Sequence, residues 1–192
     1  MHRMYKETYK DLVHGTDVES AKNIIENGFD IKGGFDSWCG KGIYFYDIKK
    51  KAWWAADRKC REIEKKTGKK VDKTILFADI IDICDKDIFD MRAYKDLQHF
   101  ENIVRPMLKD YRFDISGLDE NERIIQLRSM LISFYAHEEK KKLIIGHFKQ
   151  RPQPMYEHAI AFSDSLNMVF GIETIYCVKD KGIIKNVRQG GS

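Results

Sequence analysis

The chain has 192 residues, 43% of them hydrophobic and 33% charged, and a net charge of +4. These proportions suit one packed domain with an insertion and exclude global disorder. No apolar run approaches the ~20 residues that span a bilayer, and the opening MHRMYKETYKDLVHG lacks the apolar core of a signal peptide, which predicts a cytoplasmic protein with no membrane partner.

The first predicted element is a helix in GTDVESAKNIIENGF, where Thr16 and Glu19 fit a capping box, Val18, Ala21, Ile24 and Ile25 form the apolar stripe, and Gly28 is the stop. A loop with Gly33, Gly34, Gly40 and Gly42 follows, then a short strand, IYFY. Asp47 is placed to cap a second helix, with Ala52, Ala56, Cys60 and Ile63 on its inner face and KTGKK at its end. KTILFADIIDI alternates as a strand, with Leu76, Ala78 and Ile80 on one face. Two helical stretches follow. In the first, Leu97, Phe100, Val104, Met107 and Tyr111 share a stripe, with a kink or break expected at Pro106. The second starts at Asp119, has Glu122 three residues on, and carries Ile124, Leu127, Leu131 and Phe134/Tyr135. Strands return in KLIIGHF, YEHAIAF, ETIYCV and IIKNV, with a turn and short helix in SDSLNMVFG. The expected class is α+β: a single domain over 1–192, with a mainly helical insertion at about 94–141.

Cys39, Cys60, Cys84 and Cys177 form no CxxC pair and no His/Cys cluster of zinc spacing, so free thiols and no metal are expected. Positive charge is concentrated: Lys49 to Lys70 holds ten Lys/Arg against three Asp/Glu. Such a run is either a solvated helix face or a docking surface for a polyanion.

Three motifs fall where strands are expected to begin: LVHGT (Leu12–Thr16), GKGIYF (Gly40–Phe45) and MYEHAIAF (Met155–Phe162). Each alone is common. GKG lacks the spacing of a phosphate-binding P-loop, and Lys41 reads as an exposed lysine or as a diphosphate contact. Together, in this order, they resemble the H-Y-E ADP-ribosyltransferases, relatives of the poly(ADP-ribose) polymerases and diphtheria toxin. The resemblance covers Leu12 to about Ala56 and Lys142 to Val178, and it implies an ADP-ribosyltransferase-like split β-sheet core.

It also implies NAD as co-substrate, with the nicotinamide–ribose bond broken and positive charge growing on the ribose. By resemblance, His14 hydrogen-bonds a ribose hydroxyl, Gly15 presents its backbone to the carboxamide, and Thr16 shapes the ribose end. Tyr44 stacks on nicotinamide, with Trp54, or second Trp53, as the opposing ring. Ala52 stands near the family's carboxamide-binding serine. Glu157 is the catalytic carboxylate, and Glu173 is the alternative. A carboxylate ~4 Å from the developing cation gains about 4 kcal/mol at an effective dielectric of ~20, roughly three powers of ten in rate.

The implied function is mono-ADP-ribosyl transfer by a bacterial toxin or anti-phage effector. The acceptor is RNA, DNA or protein, with the basic helix favouring nucleic acid. An antitoxin or inhibitor protein is a further implied partner, with the helical insertion as a candidate contact. The alternative is a non-catalytic NAD or ADP-ribose sensor.

Overall fold

The computed structural model describes residues 5–31, 37–110, 119–149 and 172–190. The expected YEHAIAF strand, the SDSLNMVFG helix and Glu157 lie outside the described residues. The fold is α+β. Seven strands, β1 (Lys6–Asp17), β2 (Ile43–Tyr46), β3 (Lys73–Cys84), β4 (Ile88–Asp90), β5 (Leu143–Lys149), β6 (Ile172–Val178) and β7 (Ile184–Gln189), form one mixed sheet. Their order is β4-β5-β6-β2-β1-β3-β7. Among the described residues only the β4–β5 neighbours are parallel.

One seam divides this sheet. β2 pairs with β6 along its whole length, Ile43↔Val178 through Tyr46↔Ile175. β1 pairs with β3 from Lys6↔Cys84 to Asp17↔Lys73. Between β1 and β2, however, the register holds a single pair, Val13↔Tyr46. The sheet is therefore two blocks, β4-β5-β6-β2 and β1-β3-β7, touching at one residue pair. The HGT motif stands at the C-terminal end of β1, not at the start of a strand as its sequence position suggests. The charged KETYKD before it is strand because β3 is long enough to pair with it. Register shifts between Glu7 and Leu12 absorb the mismatch, and Asp11 takes φ 56° there.

Four helices occupy the described residues: α1 (Val18–Asn27), α2 (Lys49–Thr67), α3 (Tyr94–Asp110) and α4 (Glu120–Glu138). α1 packs Ala21 and Ile24 on one face of the sheet with Leu12, Ile43, Phe45, Leu76, Ala78 and Ile80. α2, α3 and α4 pack Ala52, Val104, Ile132, Tyr135 and Ala136 on the other. Each fully buried Leu or Ile contributes about 1.5–3 kcal/mol. None of these helices is long and apolar enough to cross a membrane.

The caps differ from expectation by one residue twice. Asp17, not Thr16, caps α1, accepting from the Ser20 N–H at 2.8 Å; Thr16 is still paired in β1. Ile48, not Asp47, precedes α2, with no side-chain cap. The Asp119–Glu122 capping box forms. α3 runs through Pro106 without ending. The apolar stripe expected on α4 holds in part: Tyr135 is buried and Leu131 packs on the core, but Ile124 is exposed, and Ser129, Ile132 and Ala136, outside the expected stripe, are buried. Polar and apolar residues are spread round that helix with no sharp stripe, so its sequence leaves the inward face open, and packing on the 39–42 loop decides it.

That loop answers what its glycines are for. Gly40 has φ 75°, and a β-carbon there would stand 1.9 Å from Ser133 Oγ on α4. A β-carbon on Gly42 would stand 2.4 Å from Cys177 Sγ on β6. The glycines thus admit the chain's own helix and strand to the loop. Gly40→Ala is expected to cost about 1–3 kcal/mol for overpacking, plus about 1–2 kcal/mol for a β-carbon in the left-handed region. Urea unfolding checks this.

Candidate functional site

His14 sits where the two sheet blocks meet. Its Nδ1 is 2.8 Å from the Tyr44 carbonyl oxygen. A carbonyl only accepts, so Nδ1 carries the proton. Phe29 meets the imidazole edge-on, with centroids 5.1 Å apart, and Phe45 lies 5.7 Å away. Burial pulls the His14 pKa down to about 4; the charge of Lys59 acts in the same direction, and the Tyr44 carbonyl opposes both. At neutral pH the ring is therefore neutral, and Nε2 is left as an acceptor. A cavity of about 250 Å³ opens here, with His14, Gly15, Asn23, Phe29, Tyr44 and Lys59 among its walls. That volume is close to the lower end of small-molecule pockets, ~300–1,000 Å³.

Lys59 has no counterpart in the motifs. It stands on the inner face of α2, three residues after Ala56, and a lysine on that otherwise apolar stripe was the available signal. Its Nζ donates to Thr16 Oγ1 at 2.6 Å and Ser20 Oγ at 2.9 Å, and pairs with Asp17 Oδ2 at 2.8 Å. All three ammonium protons are thus used at the end of the HGT strand. Burial raises the Asp17 pKa, but bonds from Lys59 and Ser20, with the Lys59 charge, outweigh it and hold the carboxyl well below its usual range. Thr16 is fully buried in this network.

Gly15 lies against α2: a β-carbon would stand 1.8 Å from the Ala52 carbonyl oxygen and 2.8 Å from the Ala56 nitrogen. Ala52 is fully buried in that contact. The Tyr44 hydroxyl donates to the Gly40 carbonyl at 2.5 Å and accepts from the Cys39 N–H at 3.0 Å. Those bonds pin the ring on the α4 side of β2, whereas Phe45, next in the strand, packs toward His14. The structure thus brings together the His14 ring, Gly15 and the Tyr44 backbone. Trp53 packs into the α2–α4 core, and Trp54 is 55% exposed, away from the cavity walls.

Glu173, the alternative carboxylate, is buried in β6 and paired with Lys51 Nζ at 3.1 Å; it does not line the His14 cavity. Lys41 lines a different cavity. Burial pushes the Cys39 and Cys177 thiols up, which disfavours a nucleophilic thiolate at either. No family model, no curated protein and no solved structure matches the chain.

Two outcomes follow from this geometry. Tyr44→Phe leaves the Cys39 N–H and the Gly40 carbonyl without their partner, which costs about 1–3 kcal/mol in urea unfolding. The second concerns acid. An unfolded histidine binds a proton below about 6.5, the folded one only near 4, so the unfolded state holds more protons between the two. Stability is complete above 6.5 and falls as pH drops toward 4. Thermal melts of His14→Asn, which keeps a donor for Tyr44 but does not titrate, show a smaller loss across that window.

Proposed function

We propose that the protein transfers a single ADP-ribose unit from NAD to a macromolecular acceptor, with nucleic acid, RNA above all, favoured over protein. One observation carries the reading: two motifs thirty residues apart, HGT and GKGIYF, meet through the His14–Tyr44 bond at a cavity in the seam of a split sheet. The split itself is the layout that the resemblance to ADP-ribosyltransferases implies.

The residues present suit NAD as substrate. Neutral His14 offers Nε2 to a ribose hydroxyl, and Nδ1, tied to Tyr44, holds the tautomer that makes this possible. Phe29, Ile24 and Ile43 give the cavity apolar walls for a base or a ring. The carbon–nitrogen bond to nicotinamide breaks with its electron pair leaving on nicotinamide. The ribose carbon gains positive charge, an acceptor nucleophile adds to it, and the acceptor loses a proton. Glu157 supplies the carboxylate facing that charge. It must be ionised, so transfer declines as pH falls through its pKa.

The test is incubation with labelled NAD and mixed RNA, DNA and protein. Label enters one acceptor class, one ADP-ribose per site, and Glu157→Gln lowers the rate by roughly 10³. Transfer unchanged in Glu157→Gln contradicts the mechanism. NAD binding with no transfer to any acceptor favours the sensor.

A further inference from the structure

We infer that a second cavity, on the α4 side of the 39–42 loop, binds the phosphodiester backbone of a nucleic-acid acceptor. It has a volume of about 220 Å³ and is lined by Lys41, Ser133, Ala136, His137, Lys141 and Lys179. Four of these six side chains can carry positive charge, and none is a carboxylate. Only His137 has a carboxylate beside it among the described residues, Glu138 Oε1 at 3.2 Å.

Two half-buried lysines, Lys141 and Lys179, are positioned by carbonyl groups, not by counter-charges. Lys179 Nζ donates to the Cys39 carbonyl at 2.7 Å and the Lys41 carbonyl at 2.6 Å, and its third N–H lies beside the Cys177 thiol. Lys141 Nζ donates to the Lys86 carbonyl at 2.7 Å, which leaves two N–H groups free. Both ammonium groups are fixed in place with their charge uncompensated.

A second observation points to the same place. Arg128 Nε and Nη2, Ser129 Oγ and Ser133 Oγ, all on α4, are buried without a hydrogen-bond partner. The fifth such atom, Asp17 Oδ2, has Lys59 Nζ 2.8 Å away. A buried donor left unpaired costs about 1–3 kcal/mol. Arg128 is held over the rings of Trp38 and Phe148, 4.4 and 4.8 Å from their centroids, in place of a carboxylate. Of these three residues Ser133 lines the cavity, with its Oγ turned against Gly40, while Arg128 and Ser129 lie behind it on the same helix. Phosphate oxygens are acceptors that ammonium and hydroxyl groups satisfy together.

The charge is spread over residues from three segments of the chain, which suits successive phosphates along a strand better than one isolated group. The cavity shares no lining residue with that of His14, which sets it apart from a site for the NAD diphosphate. α2, the most basic run of the sequence, is a weaker candidate. Four of its eight cations, Lys51, Arg58, Lys59 and Arg61, are in ion pairs.

The inference deepens the proposed function by naming its acceptor, and rests on it only there. It is tested without NAD, by fluorescence anisotropy of a labelled single-stranded oligouridylate across a salt series. Lys41→Gln with Lys141→Gln is expected to weaken binding by roughly tenfold and make the slope of log K against log salt shallower by about 1.4, two phosphates at ~0.7 each. Lys65→Gln with Lys66→Gln on α2 leaves the slope in place. Lys41 is exposed, so Lys41→Gln alone, at about half the change in slope, keeps the test readable where thermal melting finds the double variant unfolded. NAD affinity and acceptor-free NAD hydrolysis stay as in the wild type. The inference is overturned by no oligonucleotide binding in the wild type, by an unchanged slope in the cavity variant, by an equal change in the α2 variant, or by a loss confined to NAD affinity. A failed transferase assay with the expected slopes would remove the enzyme reading and leave the phosphate site.

Discussion

The hydrogen bond from His14 Nδ1 to the Tyr44 carbonyl crosses a sheet that is otherwise joined there by one residue pair, Val13↔Tyr46. Everything around the cavity depends on how that seam is held. α2 is the other clamp. It packs its backbone on Gly15, ties the β1 block through Lys59 to Thr16 and Asp17, and ties the β6 block through Lys51 to Glu173. A helix anchored in both blocks fixes their separation, and with it the width of the cavity. The Asp17 carboxylate belongs to the same clamp. Its depressed pKa stabilises the fold above the ordinary carboxylate range, and that contribution is lost as pH falls toward its folded value.

The glycines around the site carry two constraints at once. Gly15, Gly40 and Gly42 each face atoms of this chain closer than any β-carbon tolerates. Their smallness lets α2, α4 and β6 approach the strands that carry His14 and Tyr44. The helices beyond the third strand are therefore not an appendage: α4 holds the 39–42 loop from behind, through Ser129 and Ser133, while Tyr44 holds it from the strand. Rigidity at this loop sets where the Tyr44 ring lies.

Much of this was legible in the chain. Alternation in KTILFADIIDI places Leu76, Ala78 and Ile80 together on one buried face, and the Asp119–Glu122 pair marks a helix start that forms as a capping box. These are local signals, decided within a few residues. What the sequence hid was decided between elements. β4 is three residues long, too short to show a period. The inward face of α4 depends on which neighbour it meets. Lys59 reads as one more cation in a basic helix until its partners on β1 and α1 are in place. Arg128 reads as surface charge until Trp38 and Phe148 are seen beneath it. Of the site residues, His14, Gly15 and Tyr44 converge because they belong to strands, whose register carries them together. Trp54 stands on the outer side of a helix whose phase is set by Ala52 and Ala56.

The most direct test is nitrogen NMR of the His14 imidazole during titration with NAD. The account predicts a neutral ring at pH 7 with the proton on Nδ1 in the free protein. NAD then shifts the Nε2 resonance, while the Nδ1–H stays bonded to Tyr44. A protonated ring, a proton on Nε2, or a His14 signal indifferent to saturating NAD would contradict it.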